Sequence, residues 1–158
     1  PGRAFPFDTR RRRCPSGAGG RSPPERRPGD PRRGERLKTT DRIVEKPWGS
    51  ERIFAVSSRY AGKLISILAG QTLSYQYHRA KEETIHVLSG TLGMETESNG
   101  ERILLALAPG ETFHVTPGTR HRMFAEAEDV LVVEVSSPEL DDVVRLEDRY
   151  GREGTTQP

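Results

Sequence analysis

From Thr40 onward the chain is a succession of short β-type runs of roughly four to eight residues, divided by Gly, Pro and Asn, with hardly a stretch of helical period. The runs predicted as strands are Ile43 to Glu45, Arg52 to Ser57, Gly62 to Leu68, Leu73 to His78, Glu83 to Leu88, Thr91 to Thr96, Arg102 to Leu107, Thr112 to Val115, His121 to Ala125 and Val130 to Val135. A short strand cannot bury an apolar face alone, so this many of them predict an antiparallel sandwich or barrel. Asn99-Gly100 is the clearest turn, because both residues accept the positive φ of a type I′ hairpin. Ser137 to Arg152 is acidic and is expected to include one short helix beginning near Pro138, with Asp141 to Arg145 extended as the alternative.

The first 38 residues differ in texture. They are rich in Pro, Gly, Arg and Ser, with only Ala4, Phe5, Phe7, Cys14, Ala18 and Leu37 as apolar side chains. That is too little to offset the entropy of ordering a backbone, so residues 1–38 are expected to form a disordered arm, 39–152 the folded domain and 153–158 a disordered tail. Charge divides at the same point. The arm holds eleven Arg and one Lys against Asp8, Glu25, Asp30 and Glu35, about +8, and the remainder is about −6. The sequence pI near 9.0 therefore says little about what the domain binds. Phe5 and Phe7 stand apart from the Arg clusters and give no stacking pattern, so no nucleic-acid partner is expected.

Cys14 is the single cysteine, which excludes an intrachain disulfide and a thiolate metal cluster in the domain. Without a long apolar run or a secretory signal, the expectation is a soluble, cytoplasmic protein with no membrane partner.

The chemistry-bearing segments are Gly70 to Gly90 and Pro109 to His121. Residues two apart on a strand share a face, so Gln76 and His78 point one way and Tyr75 and Tyr77 the other. A reverse turn through Ala80 and Lys81 brings Glu83 back on the next strand, with Ile85 and Val87 beside it as apolar wall. The Gly118-Thr-Arg-His121 turn delivers a fourth group.

These two segments resemble the paired motifs of the cupin superfamily: Gly70, His78, Glu83 and Gly90, then Pro109-Gly110 and Pro117-Gly118-x-x-His121. With Lys46-Pro-Trp-Gly49, Leu73-Ser-Tyr-Gln-x-His78, His121-Arg122-Met123 and Asp141 to Arg152, the chain is similar to the cupin domain of type II mannose-6-phosphate isomerases. The resemblance implies an all-β double-stranded β-helix, or jelly-roll barrel, holding a divalent metal ion. In the family this domain is often fused to a mannose-1-phosphate guanylyltransferase, a domain that these 158 residues do not contain. One departure stands out: Ala80 takes the place where a second histidine of a His-x-His pair is expected. The ligand set is then Gln76, His78, Glu83 and His121, with Gln76 filling the vacancy as the more distant type I isomerases use a Gln, two His and one Glu. Such donors suit Zn, Mn or Fe without identifying which.

The reaction implied is aldose-ketose isomerisation of a sugar phosphate, with Glu82 or Lys81 as base or acid, and Lys63, Arg79 or Arg122 holding the phosphate. Arg122 also matches the family's His-Arg pair. Two other readings stay open: a non-catalytic metal- or sugar-binding module, and an Fe(II) dioxygenase built on two His and one Glu. His86 is read as a surface or interface residue, His114 is left open outside the metal set, and Trp48 is read as packing across one barrel end. Exposed strand edges predict a homodimer.

Overall fold

The computed structural model describes residues 41–154. The disordered arm expected over residues 1–38 lies outside them, as do residues 155–158. Eleven strands follow in order: β1 Arg42–Lys46, β2 Gly49–Val56, β3 Ala61–Ile67, β4 Tyr75–Tyr77, β5 Glu83–Ser89, β6 Leu92–Ser98, β7 Glu101–Leu107, β8 Thr112–Val115, β9 His121–Ala125, β10 Val130–Ser136 and β11 Val144–Glu147. All the predicted strands form. β4 is shorter than the sequence predicts because the chain before it follows β9 through a single bridge, Thr72 to Phe124, and the Leu73 amide bonding the Met123 carbonyl.

The strands make two antiparallel sheets, β1-β2-β3-β10-β5-β8 and β11-β4-β9-β6-β7. Local hairpins such as β6-β7 close on tight turns; Asn99 (φ 53°) and Gly100 (φ 81°) both take the positive φ that a type I′ turn requires. Among the long-range pairings, β10 inserts between β3 and β5 and β9 between β4 and β6.

The expected helix after Pro138 does not form. Leu140 and Asp142 make short turns back to Pro138 and Glu139, and Val144 and Arg145 pair with Tyr77 and Gln76 of β4. Sheet pairing and the commitments of Asp142 described below outweigh local helical preference there. No described helix is long and apolar enough to cross a membrane.

The interior is divided lengthwise. On β3 the inward residues run Lys63, Ile65, Ile67; on β10, Ser136, Glu134, Val132, Val130; on β5, Glu83, Ile85, Val87; on β9, His121, Met123, Ala125; on β6, Thr96, Met94, Leu92. Antiparallel register brings the polar member of each row to the same end of the barrel. The other end is a continuous apolar cluster that includes Trp48, as its sequence reading expected. That cluster keeps the barrel closed while the polar end is free to carry chemistry.

Candidate metal centre

His78 follows directly on β4, Glu83 opens β5 and His121 opens β9, so three different strands aim one donor each at the polar end. Their ligand atoms lie within 4.8 Å of one another. His78 Nε2 is 3.4 Å and His121 Nε2 3.2 Å from Glu83 Oε1, and the imidazole centroids are 5.3 Å apart. All three are enclosed, with relative exposures of 0%, 2% and 1% for His78, Glu83 and His121.

The other ring nitrogens fix the tautomers. His78 Nδ1 donates to the Asp142 carbonyl, and His121 Nδ1 to the Thr119 carbonyl at 3.1 Å. A carbonyl only accepts, so each Nδ1 carries a hydrogen and Nε2 is the atom of each ring left to face Glu83 or a metal. Neither Nε2 has a hydrogen-bond partner, although both are buried. Two imidazole nitrogens and a carboxylate oxygen converge out of reach of water, and a proton or a metal cation must lie between them. The donor set fits a divalent metal, and the Nδ1 bonds are the outer partners such a site needs.

Burial alone would raise the Glu83 carboxyl, but His121, His78 and the Lys81 ammonium outweigh it and hold it well below the usual range.

A sequence model of the Mannose-6-phosphate isomerase C-terminal family matches residues 33–148, more than half of the chain. The chain belongs to this family. It is 35% identical over 118 residues to the xanthan biosynthesis protein XanB of Xanthomonas campestris pv. campestris, covering 72% of this chain and 24% of the relative. It is 36% identical over 115 residues to the mannose-1-phosphate guanylyltransferase ManC of Salmonella typhimurium, covering 70% and 23%. The chain thus spans about a quarter of these relatives. Among solved structures, the capsular polysaccharide assembling protein CapF of Staphylococcus aureus superposes with a TM-score of 0.61 at 18% identity, over 70% of this chain and 35% of CapF. Oxalate decarboxylase of Bacillus subtilis, described with Mn(II) centres, superposes at 0.58 with 21% identity, over 66% and 29%. These likenesses establish the cupin fold.

Within this cupin, the sequence-predicted residues divide. Gln76 is the cross-strand neighbour of His121, accepts a hydrogen bond from Ser74 at 2.6 Å, and lines a cleft with Lys46, Trp48, Glu51, Leu73, Val143, Arg145 and Arg152. Ala80 is exposed in the turn after β4, and its amide donates to Asp142 at 2.6 Å. Position 80 is therefore outside the cluster, and the place two residues before His78 on the same face is held by Gln76, not by a missing histidine. Lys81 is buried, donating to Glu134 at 2.7 Å and also to Glu83. Burial pushes its pKa down, but Glu134 and Glu83 more than reverse this and raise it. Glu82 points outward and pairs with His114 at 3.1 Å. His86 and His114 also bond Thr112 and Thr84 on the outer face, away from the centre.

Arg122 follows inward-facing His121, so it faces out, where it pairs with Glu95 and Glu147 and lies over the Tyr75 ring. Arg79 is exposed in the turn beside Asp142, and Lys63 is buried between Glu51 (3.7 Å) and Glu134 (3.6 Å).

Asp142 is the residue that sequence reasoning missed. Its carboxylate accepts from the amides of Arg79 (3.1 Å), Ala80 (2.6 Å) and Lys81 (2.8 Å), while its carbonyl orients His78. Burial would raise its carboxyl; those three amides outweigh it and lower it. It holds both the ligand and the turn between ligands. The Asp141-Asp142 pair was visible as part of a family motif, but nothing local marks which carboxylate folds inward.

Proposed function

We propose that this domain is a metal-dependent sugar-phosphate isomerase acting on an aldose-ketose pair such as mannose 6-phosphate and fructose 6-phosphate. The observation that carries the reading is the pairing of the His78, Glu83 and His121 cluster with a cationic cleft that begins at Gln76, the neighbour of His121. A divalent metal bound there would supply Lewis-acid stabilisation of charge developing on a substrate oxygen. His78, Glu83 and His121 would hold it, with Gln76 within its own strand's reach as a further donor.

The cleft is walled by Lys46, Arg145 and Arg152, and its continuation by Arg42 and Lys63, against Glu51 and Asp141. Burial lowers Lys46 and Arg145, and neighbouring cations add to it: Lys63, Arg152 and Arg145 for Lys46, Arg152 for Arg145. Crowded, partly desolvated cations are stabilised by a bound anion, and a phosphate meets that need. This supports a phosphate contact at Lys46 and Arg145 with Arg152, which Asp148 holds in place, ahead of Arg79 and Arg122. With Lys81 ion-paired and Glu82 turned outward, Glu51, which lines both parts of the cleft, is the carboxylate positioned to move a proton between adjacent substrate carbons.

The full enclosure of the three ligands favours one second reading, a module that binds metal or sugar without turnover. Anaerobic conversion of mannose 6-phosphate by metal-loaded protein, lost in His78→Ala, supports the isomerase. Ligand binding without conversion supports the module, and oxygen uptake with Fe(II) supports neither.

A further inference from the structure

Glu83 offers its two carboxylate oxygens to different partners. Oε1 faces the Nε2 atoms of His78 and His121, and Oε2 is held by the Lys81 ammonium. Lys81 is itself fixed from behind by Glu134, which Lys63 pairs at 3.6 Å, and Lys63 reaches Glu51 at 3.7 Å at the edge of the cleft. Five buried or half-buried groups of alternating sign therefore run from the cleft to the metal cluster. Packing alone does not require this. A buried ion pair is seldom a net gain over apolar side chains of similar size, and here two lysines are kept inside the barrel.

We propose that Lys81 is a positioning residue that acts as a resident counter-cation of Glu83, limiting that carboxylate to one metal-facing oxygen and keeping the site's affinity for divalent metal low. The inference rests on the metal reading of the cluster. The geometry has two consequences. An ammonium beside the ligand opposes a second positive charge at the same carboxylate, which weakens binding. It also keeps Glu83 paired when no metal is present, so the barrel does not depend on metal to bury that charge. Glu134 and Lys63 fix the ammonium on Oε2, so it cannot swing toward the imidazoles.

The test is calorimetric titration of the metal-free protein with Mn(II), with thermal melting of each metal-free form alongside. Lys81→Met is expected to bind Mn(II) about 10-fold more tightly than wild type, the scale on which outer-shell partners tune metal sites, and to melt lower without metal. Lys81→Met combined with Glu134→Gln also removes the second carboxylate that loses Lys81 as a partner, leaving only Glu83 without its counter-cation; it is expected to show the same tightening. Lys81→Arg keeps the cation and is expected to bind as wild type does. Wild-type binding that both Met variants leave unchanged or weaken overturns the role of Lys81 alone. Failure of every form to bind Mn(II) overturns the metal reading with it.

Discussion

At the residue scale, the centre is defined by which atom of each side chain is already engaged. His78 and His121 spend Nδ1 on carbonyls and keep Nε2 for a ligand. His78→Ala and His121→Ala are therefore each expected to abolish stoichiometric metal in purified protein, measured by elemental analysis, whereas Gln76→Ala weakens binding without abolishing it. Asp142 acts one step further out. Asp142→Ala releases three amides and leaves no carboxylate to hold the turn, so metal affinity is expected to fall about 10-fold to 100-fold while the fold survives. On the outer face, burial and the hydrogen bond to Glu97 push the Tyr75 phenol up from 10.0 to about 12. A group whose folded pKa is raised contributes stability below its unfolded pKa and loses it as pH rises through the folded one. Wild type is thus expected to lose stability between about pH 10 and about pH 12, and Tyr75→Phe to lose less over that window in urea unfolding at stepped pH.

At the element scale, β5 and β10 carry the division between chemistry and core. β5 presents Glu83, Ile85 and Val87 inward, so one strand supplies a candidate metal donor and two residues of the apolar wall. β10 lies between β3 and β5 and brings Glu134 to the charged chain. Ile85 is fully buried one position along that face from Glu83, and Ile85→Ala is expected to cost about 2–5 kcal/mol in urea unfolding through the cavity it leaves. The segment from Pro138 to β11 closes the polar end by a turn and a short strand. A helix there would carry Asp142 away from His78 and leave β4 without its partner β11.

At the scale of the whole molecule, the proposed metal and the fold are expected to be linked. A ligand that binds only the folded barrel stabilises it by mass action, about 2.7 kcal/mol at a hundredfold excess over its Kd. A divalent metal is expected to raise the melting temperature of wild type, chelation to reverse the rise, and His78→Ala to remove it, as read by differential scanning calorimetry. β1 and β8 end one sheet and β11 and β7 the other, so the pairing proposed for a homodimer has four edges to use, and sedimentation velocity decides it.

The strands of this cupin were legible because alternation of apolar and polar residues and the Gly, Pro and Asn boundaries are local properties. His78, Glu83 and His121 were legible through the paired motifs that the two segments share with cupins, while the two-residue period put only Gln76 and His78 on one face. Long-range register was not. Whether Lys81 is a proton carrier or a sealed ion pair depends on Glu134, more than fifty residues away, and whether Arg122 faces the site depends on which face of β9 the barrel closes over. The cationic cleft of Lys46, Arg145 and Arg152 likewise joins strands from both ends of the domain, and Asp142 became an organiser only when its segment gave up a helix to close the barrel. The sequence by itself determined the strand periodicity and the donor types; tertiary structure decided which charges meet, because charge pairing is set by register and burial rather than by neighbours along the chain.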